Sequence, residues 1–136
     1  MKITMTAAGG KVLVLADDAS GATVQDGFRP KQARLWQSQA MFRGSYRTNL
    51  ARCNLENRLS FTVERAFATR EAALNFMAFH ADSVPVSGTL TLHHLSATGQ
   101  VTRTLANAIM LDIECTEHVG VSCKFQYTVA GNGAWQ

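Results

Sequence analysis

The side chains here that could carry chemistry are four histidines (His80, His93, His94, His118), three cysteines (Cys53, Cys115, Cys123) and two acidic pairs, Asp17-Asp18 and Asp112/Glu114. Each set fails on spacing. His93 and His94 are neighbours on an expected strand, so they point to opposite faces and cannot share a metal. No HxH, HxxxH or nearby carboxylate completes a ligand set around any histidine. The cysteines form no CxxC pair and no even set, which argues against a zinc knuckle or a disulfide framework and fits reduced thiols of a cytosolic product. Cys123 keeps phase with Val121 and Phe125 and reads as a small buried hydrophobe. Cys53 lies beside Arg52, which could lower its pKa, but nothing in the spacing supplies a base for it. Asp17-Asp18 falls in a loop, and Asp112 and Glu114 fall on the outer face of a strand, where solvation is the default. Gly9-Gly10 is a turn, and no helix follows Gly131-x-Gly133, so no phosphate loop is present. The expectation is a protein that is not an enzyme, with no catalytic residues, no cofactor and no metal.

Charge is more informative. The chain carries net +3, but Arg29 to Arg58 holds seven basic residues (Arg29, Lys31, Arg34, Arg43, Arg47, Arg52, Arg58) against the single acid Glu56. That segment is +6 and the remainder is −3. Two such halves can complement each other between copies of the chain. The alternative is that Arg43, Arg47 and Arg52, with Trp36 and Tyr46 nearby, hold a phosphate backbone with aromatic support. Charged residues make up 17% of the chain, below the roughly 25% typical of soluble domains, which fits a surface partly hidden in an assembly or a β-rich fold.

The elements that position these residues follow from periodicity. The 136 residues make a single domain, 1–136. Lys2–Thr6 and Lys11–Ala16 read as a hairpin around Gly9-Gly10. Residues 17–31 are polar and turn-rich and read as a loop or arm, as does the arginine-bearing stretch 43–54, with a weakly alternating strand over Ala33–Phe42 between them. Leu59, Phe61, Val63, Arg65 and Phe67 alternate as a half-buried strand. A helix is expected over about 69–83. Thr69 caps it, Glu71 sits in its first turn, and Pro85 stops it. Ala72, Ala73, Phe76, Phe79 and His80 form its buried stripe, leaving Leu74 and Met77 for a second covered face. Thr89–Leu95 and Val101–Glu114 are strands, the latter bulged near Ala106–Ala108, with Ile109, Leu111, Ile113 and Cys115 in one phase. Glu117–Gly120 turns the chain. Val121, Cys123, Phe125, Tyr127 and Val129 make the cleanest inward face. No apolar run is long enough to span a bilayer and the N-terminus lacks a secretory pattern, so a soluble protein is expected. The fold class is mainly β with one α-helix (α+β), a β-sandwich or barrel flanked by that helix.

From Arg43 to Ala130 the order resembles structural proteins of phage and prophage tails, of the tail-tube, distal tail and baseplate-hub type. A polar connection (RGSYRTNLARCNLENR) leads into a strand with Phe-Thr-Val. An alanine- and phenylalanine-rich helix (AALNFMAFHA) follows, then Pro85 and Gly88, then TLTL, and two long strands closing with GVSCKFQYTV. The resemblance is one of layout and covers about two-thirds of the chain. It implies a virion structural protein, made in the host cytoplasm, that assembles as a homo-oligomeric ring, commonly a hexamer, and joins other tail proteins. It implies possible DNA passage, without sequence-specific nucleic-acid binding. The candidate contacts, with a neighbouring subunit or with nucleic acid, are Arg34, Arg43, Arg47, Arg52, Leu74 and Met77. No pore-facing acidic strand stands out, so tube and adaptor both stay open. The competing reading is a monomeric binding module for nucleic acid or carbohydrate, with an aromatic platform from Trp36, Tyr46 or Trp135.

Overall fold

Period-two alternation in Leu59–Val63 and Cys123–Val129 becomes the central seam of one antiparallel sheet. The computed structural model describes residues 1–25, 29–35, 54–96, 98–132 and 135–136. Within them the strands are β1 (Lys2–Thr6), β2 (Val12–Asp17), β3 (Ala22–Val24), β4 (Arg29–Leu35), β5 (Asn54–Ala66), β6 (Ser87–Ser96), β7 (Gly99–Val119) and β8 (Ser122–Asn132), with helix α1 (Arg70–Ser83) between β5 and β6. The sheet order is β3-β2-β1-β6-β7-β8-β5-β4, and β3 also pairs with β5, so the sheet closes on itself as a barrel. Closure removes most of the exposed sheet edge. Phe61 faces Tyr127 across the seam and Val63 faces Phe125. With Ile3, Met5, Leu15, Leu90, Leu105 and Val129 they fill the interior.

α1 begins as its sequence signals require: the Thr69 side chain accepts from the Ala72 N–H at 3.2 Å, and Glu71 lies in the first turn. It ends at Ser83, and Val84 is extended, as a residue before proline must be. The buried stripe differs from the expected one. Ala73 and His80 are buried, and Phe76 and Met77 pack partly against the core, whereas Phe79 is 67% exposed. Ala73, Phe76, Met77, His80 and Val84 follow i, i+3, i+4, i+7 and i+11, a stripe rotated by about one residue from the expected one. Met77 is therefore a core contact, and Leu74 and Phe79 are what the helix leaves exposed.

Within 17–31, residues 17–25 and 29–31 are not a loop or arm but a 3-10 turn and strand. Asp17 caps a single 3-10 turn, Gly21 takes φ 82°, and β3 then pairs Ala22–Val24 with Val63–Arg65. Val24 faces Val63 while Arg29 faces Ser60, so β3 and β4 lie end to end along one edge of β5 with two extra residues between them. A ready partner strand overrides the turn-rich local composition. Of the other two expected segments, residues 36–42 and 43–53 lie outside the described residues.

The expected bulge in β7 is present. Gly88 faces Ala108 and Leu90 faces Leu105, so Ala106 and Asn107 oppose Thr89 alone, and Asn107 takes the left-handed φ of 52° that asparagine tolerates. Beyond it the inward phase is Met110, Ile113 and Cys115, because a further irregularity at Met110/Asp112 shifts the register, and another follows at Cys115/Glu117. Ile109 and Leu111 are exposed, against expectation. β7 runs on to Val119, and the chain turns at Gly120-Val121, leaving Val121 exposed rather than inward.

Candidate functional site

Two groupings of side chains stand out: a polar cluster inside the barrel and an open strand edge outside it. The inner cluster starts from Arg65, which shares the inward phase of Phe61 and Val63. Its Nη2 donates to the carbonyls of Val14 and Leu15, both at 3.0 Å, and its guanidinium lies 5.0 Å from the centre of the Phe76 ring. Arg65 thus ties β5 to β2 and to α1, with cation–π support. Its Nε is buried without a partner. Next to it, Nε2 of His80 and the Tyr127 hydroxyl share a hydrogen bond of 2.5 Å, and Tyr127 stacks on Phe61. Burial, and secondarily the charge of Arg65, pushes the His80 imidazole down to about 4, so it is neutral at pH 7. Burial likewise raises Tyr127 and Cys123 above their ordinary ranges. A thiol held protonated is a poor nucleophile. The arrangement locks the helix to the barrel and offers no activated group.

Outside, β6 and β7 part company. Their pairing runs from Ser96/Gly99 to Ser87/Ile109, and the last rung is the Met110 N–H to the Val86 carbonyl at 2.8 Å. From Leu111 to Val119, β7 is paired with β8 on one side, and no described strand covers the other. A groove of about 230 Å³ opens where the strands separate, between Ala81 and Val84–Val86 on one side and Met110–Ile113 on the other. Exposed apolar side chains flank this region: Val86 and Leu111 at the groove, Ile109 before it, Val119 and Val121 at the far end, Leu74 and Phe79 on α1. The outward residues of this stretch are acidic. Asp112 and Glu114 are exposed, and Glu117 pairs with Lys124 at 3.1 Å. Glu64 and Glu117 line a common hollow, so acids from β5 and β7 meet on one outer face.

The sequence-derived candidates separate. Arg34 belongs to β4, opposite Leu55, on a strand that lies at the end of the sheet order. Leu74 is exposed, Met77 is not free for a neighbour, and Arg43, Arg47 and Arg52 lie outside the described residues. Trp36, Tyr46 and Cys53 also lie outside them, while Trp135 packs partly against the core. His93 and His94 line one shallow hollow with Asp17 and Asp18, but Asp18 is taken by the N-terminal amine. Among the described residues no group of three or more His, Cys, Asp or Glu could hold a metal, and no helix is long and apolar enough to cross a membrane. Sequence reasoning missed the open edge and Arg65. The second had a signal, since Arg65 keeps phase with four apolar residues, Leu59, Phe61, Val63 and Phe67; the first depends on where β6 stops. No protein-family model matches this chain, and a search of curated proteins returns no relative.

Proposed function

We propose that this protein is a structural subunit of a phage or phage-like tail, acting by self-assembly into a ring and by contact with neighbouring tail proteins, not by catalysis. The observation that carries the reading is the apolar groove beside the open edge, where Val86 and Leu111 line the hollow at 75% and 49% exposure and Ile109, also exposed, precedes it. Large exposed apolar side chains at a groove mark a contact surface more often than a solvated one. The closed barrel with one flanking helix supports the same reading, since it is the architecture that the tail-protein layout implies. The exposed acids Asp112 and Glu114 would suit a wall along which DNA passes without adhering, because like charge repels the phosphates. A monomeric binding module draws less support, since Trp135 is committed in part to the core.

Size-exclusion chromatography with light scattering, over a range of concentration and at low and high salt, tests the reading. Discrete oligomers, seen as rings by negative-stain microscopy, are expected. A strict monomer under every condition overturns it.

A further inference from the structure

Where β6 leaves the sheet, β7 keeps a bare edge. Between its irregularities at Met110/Asp112 and Cys115/Glu117 lies one regular run, Asp112–Cys115, paired with β8 on one side and with no described strand on the other. Its side chains alternate between two faces. Asp112 and Glu114 are exposed on the outer face, and neither takes an ion pair among the described residues, whereas Glu117 further along is tied to Lys124. Ile113 and Cys115 share the inner face and pack partly against the core. The apolar groove of about 230 Å³, with Val84, Val86, Met110 and Leu111 in its walls, reaches Asp112 and Ile113 at the start of this run. An open edge offers its backbone N–H and C=O groups as a template for a further strand.

A second copy of the same edge is a poor occupant. It would bring Asp112 and Glu114 against a like pair within the same short run, and charged side chains and bulges are how proteins keep open edges from pairing with themselves. A phosphate backbone is repelled by the same carboxylates. Neither objection applies to a basic strand. We infer that this edge takes an added strand from a different protein, an extended segment in which basic residues alternate with apolar ones. Main-chain hydrogen bonds to Asp112–Cys115 hold the segment, and its lysines or arginines lie beside Asp112 and Glu114. The apolar residues between them turn to the other face, toward Ile113 and the groove. The carboxylates choose the strand by repelling wrong ones as well as by attracting the right one. This rests on the reading of the groove as a contact surface and names what enters it.

Short synthetic peptides added to the whole chain test the inference. One alternates lysine and valine, and one alternates glutamate and valine. Two further versions of the first are N-methylated at every other backbone nitrogen, in the two alternate phases. By fluorescence anisotropy at low salt the lysine–valine peptide should bind and the glutamate–valine peptide should not. N-methylation in the phase that faces β7 should weaken binding at least about tenfold, since charge and side chains are kept but the strand donors are lost, and the opposite phase should bind as before. Asp112→Lys with Glu114→Lys should weaken the lysine–valine peptide at least about tenfold and take the glutamate–valine peptide instead. Far-UV circular dichroism checks that the variant is folded. If the reversal unfolds the chain, Asp112→Asn with Glu114→Gln should still weaken binding and flatten its salt dependence. Hydrogen exchange with peptide bound should protect Asp112–Cys115. No binding of the lysine–valine peptide up to about 1 mM, equal binding of both N-methylated phases, or a folded reversal that binds like the wild type overturns the inference. So does protection of Asp112–Cys115 that grows with protein concentration in the absence of peptide, which gives the edge to a second copy. Light scattering on the same samples separates the two proposals. Failure of the peptide in protein that still forms oligomers leaves the proposed function standing, and peptide binding by a strict monomer overturns self-assembly and leaves the added strand.

Discussion

β7 is one strand with two environments. From Gly99 to Ile109 it is held on one side by β6 and on the other by the end of the chain, where Thr104 and Gln136 exchange backbone hydrogen bonds of 2.9 Å. Leu105 and Ala108 in this half are buried. From Leu111 to Val119 it keeps β8 alone among the described strands, and its exposed residues are Leu111, Asp112, Glu114, Thr116, Glu117 and Val119. Both halves draw on similar residue types. The difference lies in what is bonded to the second edge. A leucine is therefore a core residue or a surface residue according to the face its register gives it, not hydrophobicity, and Leu105 and Leu111 should respond to substitution in opposite ways.

The largest effect is expected where the doubly paired half is built most tightly. Gly88 faces Ala108, and a Cβ added at Gly88 would sit 2.1 Å from the Thr6 carbonyl oxygen, against the backbone of β1. Backbone cannot step aside as a flexible side chain can. Gly88→Ala should cost about 4 kcal/mol or more in urea-induced unfolding. A cost below about 1 kcal/mol would mean that β1 and β6 do not approach as described.

Two leucines of the same strand give the most direct contrast. Leu105 is fully buried and Leu111 is 49% exposed. Leu105→Ala should destabilise the monomer by about 3 kcal/mol, and Leu111→Ala by less than about 0.5 kcal/mol. Equal costs in monomeric protein would erase the distinction between the halves. A cost at Leu111 that appears only in assembled protein would sharpen it.

What could be read beforehand divides along the same line. β5 and β8 were legible because Leu59–Val63 and Cys123–Val129 keep strict period two without a break. The helix was legible because Thr69, Glu71 and Pro85 are local signals that need no partner. β3 was not, since it owes its extended form to β5, which lies about forty residues further along the chain. The outer half of β7 was not either: the irregularity at Met110/Asp112 moves its phase, so Ile109 and Leu111 pass from expected core to surface. Of the candidate contacts, Arg34 falls on an open edge strand and Leu74 on an exposed helix face, but Met77 was misplaced by the one-residue rotation of the helix stripe. An open edge is a property of the whole sheet order, and no local pattern encodes it.

Acid should separate the two halves next. His80 is buried against Tyr127, and Tyr127 faces Ile113 in the outer half of β7. In the folded protein the imidazole titrates at about 4, against an ordinary value of 6.5. Below pH 6.5 the unfolded chain binds a proton that the folded chain refuses, so stability falls as pH drops from about 6.5 towards 4 and is unaffected by this group above that window. The loss should reach about 2 kcal/mol, and His80→Gln should flatten it. In hydrogen exchange, protection factors of α1 and of Leu111–Val119 should fall in that window, while those of the β6–β7 rungs hold. A uniform loss across both halves would show that His80 does not act locally.

The smallest expected effect lies at the far end of the open half. Glu117 and Lys124 form an ion pair at 3.1 Å on the outer face, with side chains 52% and 34% exposed. Water and salt screen such a pair, so its worth is small. Glu117→Gln should cost no more than about 0.5 kcal/mol at low salt, and the difference should vanish in high salt. A monomer stability loss well above 1 kcal/mol would place Glu117 in a structural network. The outer half of β7 would then be built for the monomer, as the inner half is, and the contrast between the two would fail at its least expensive point.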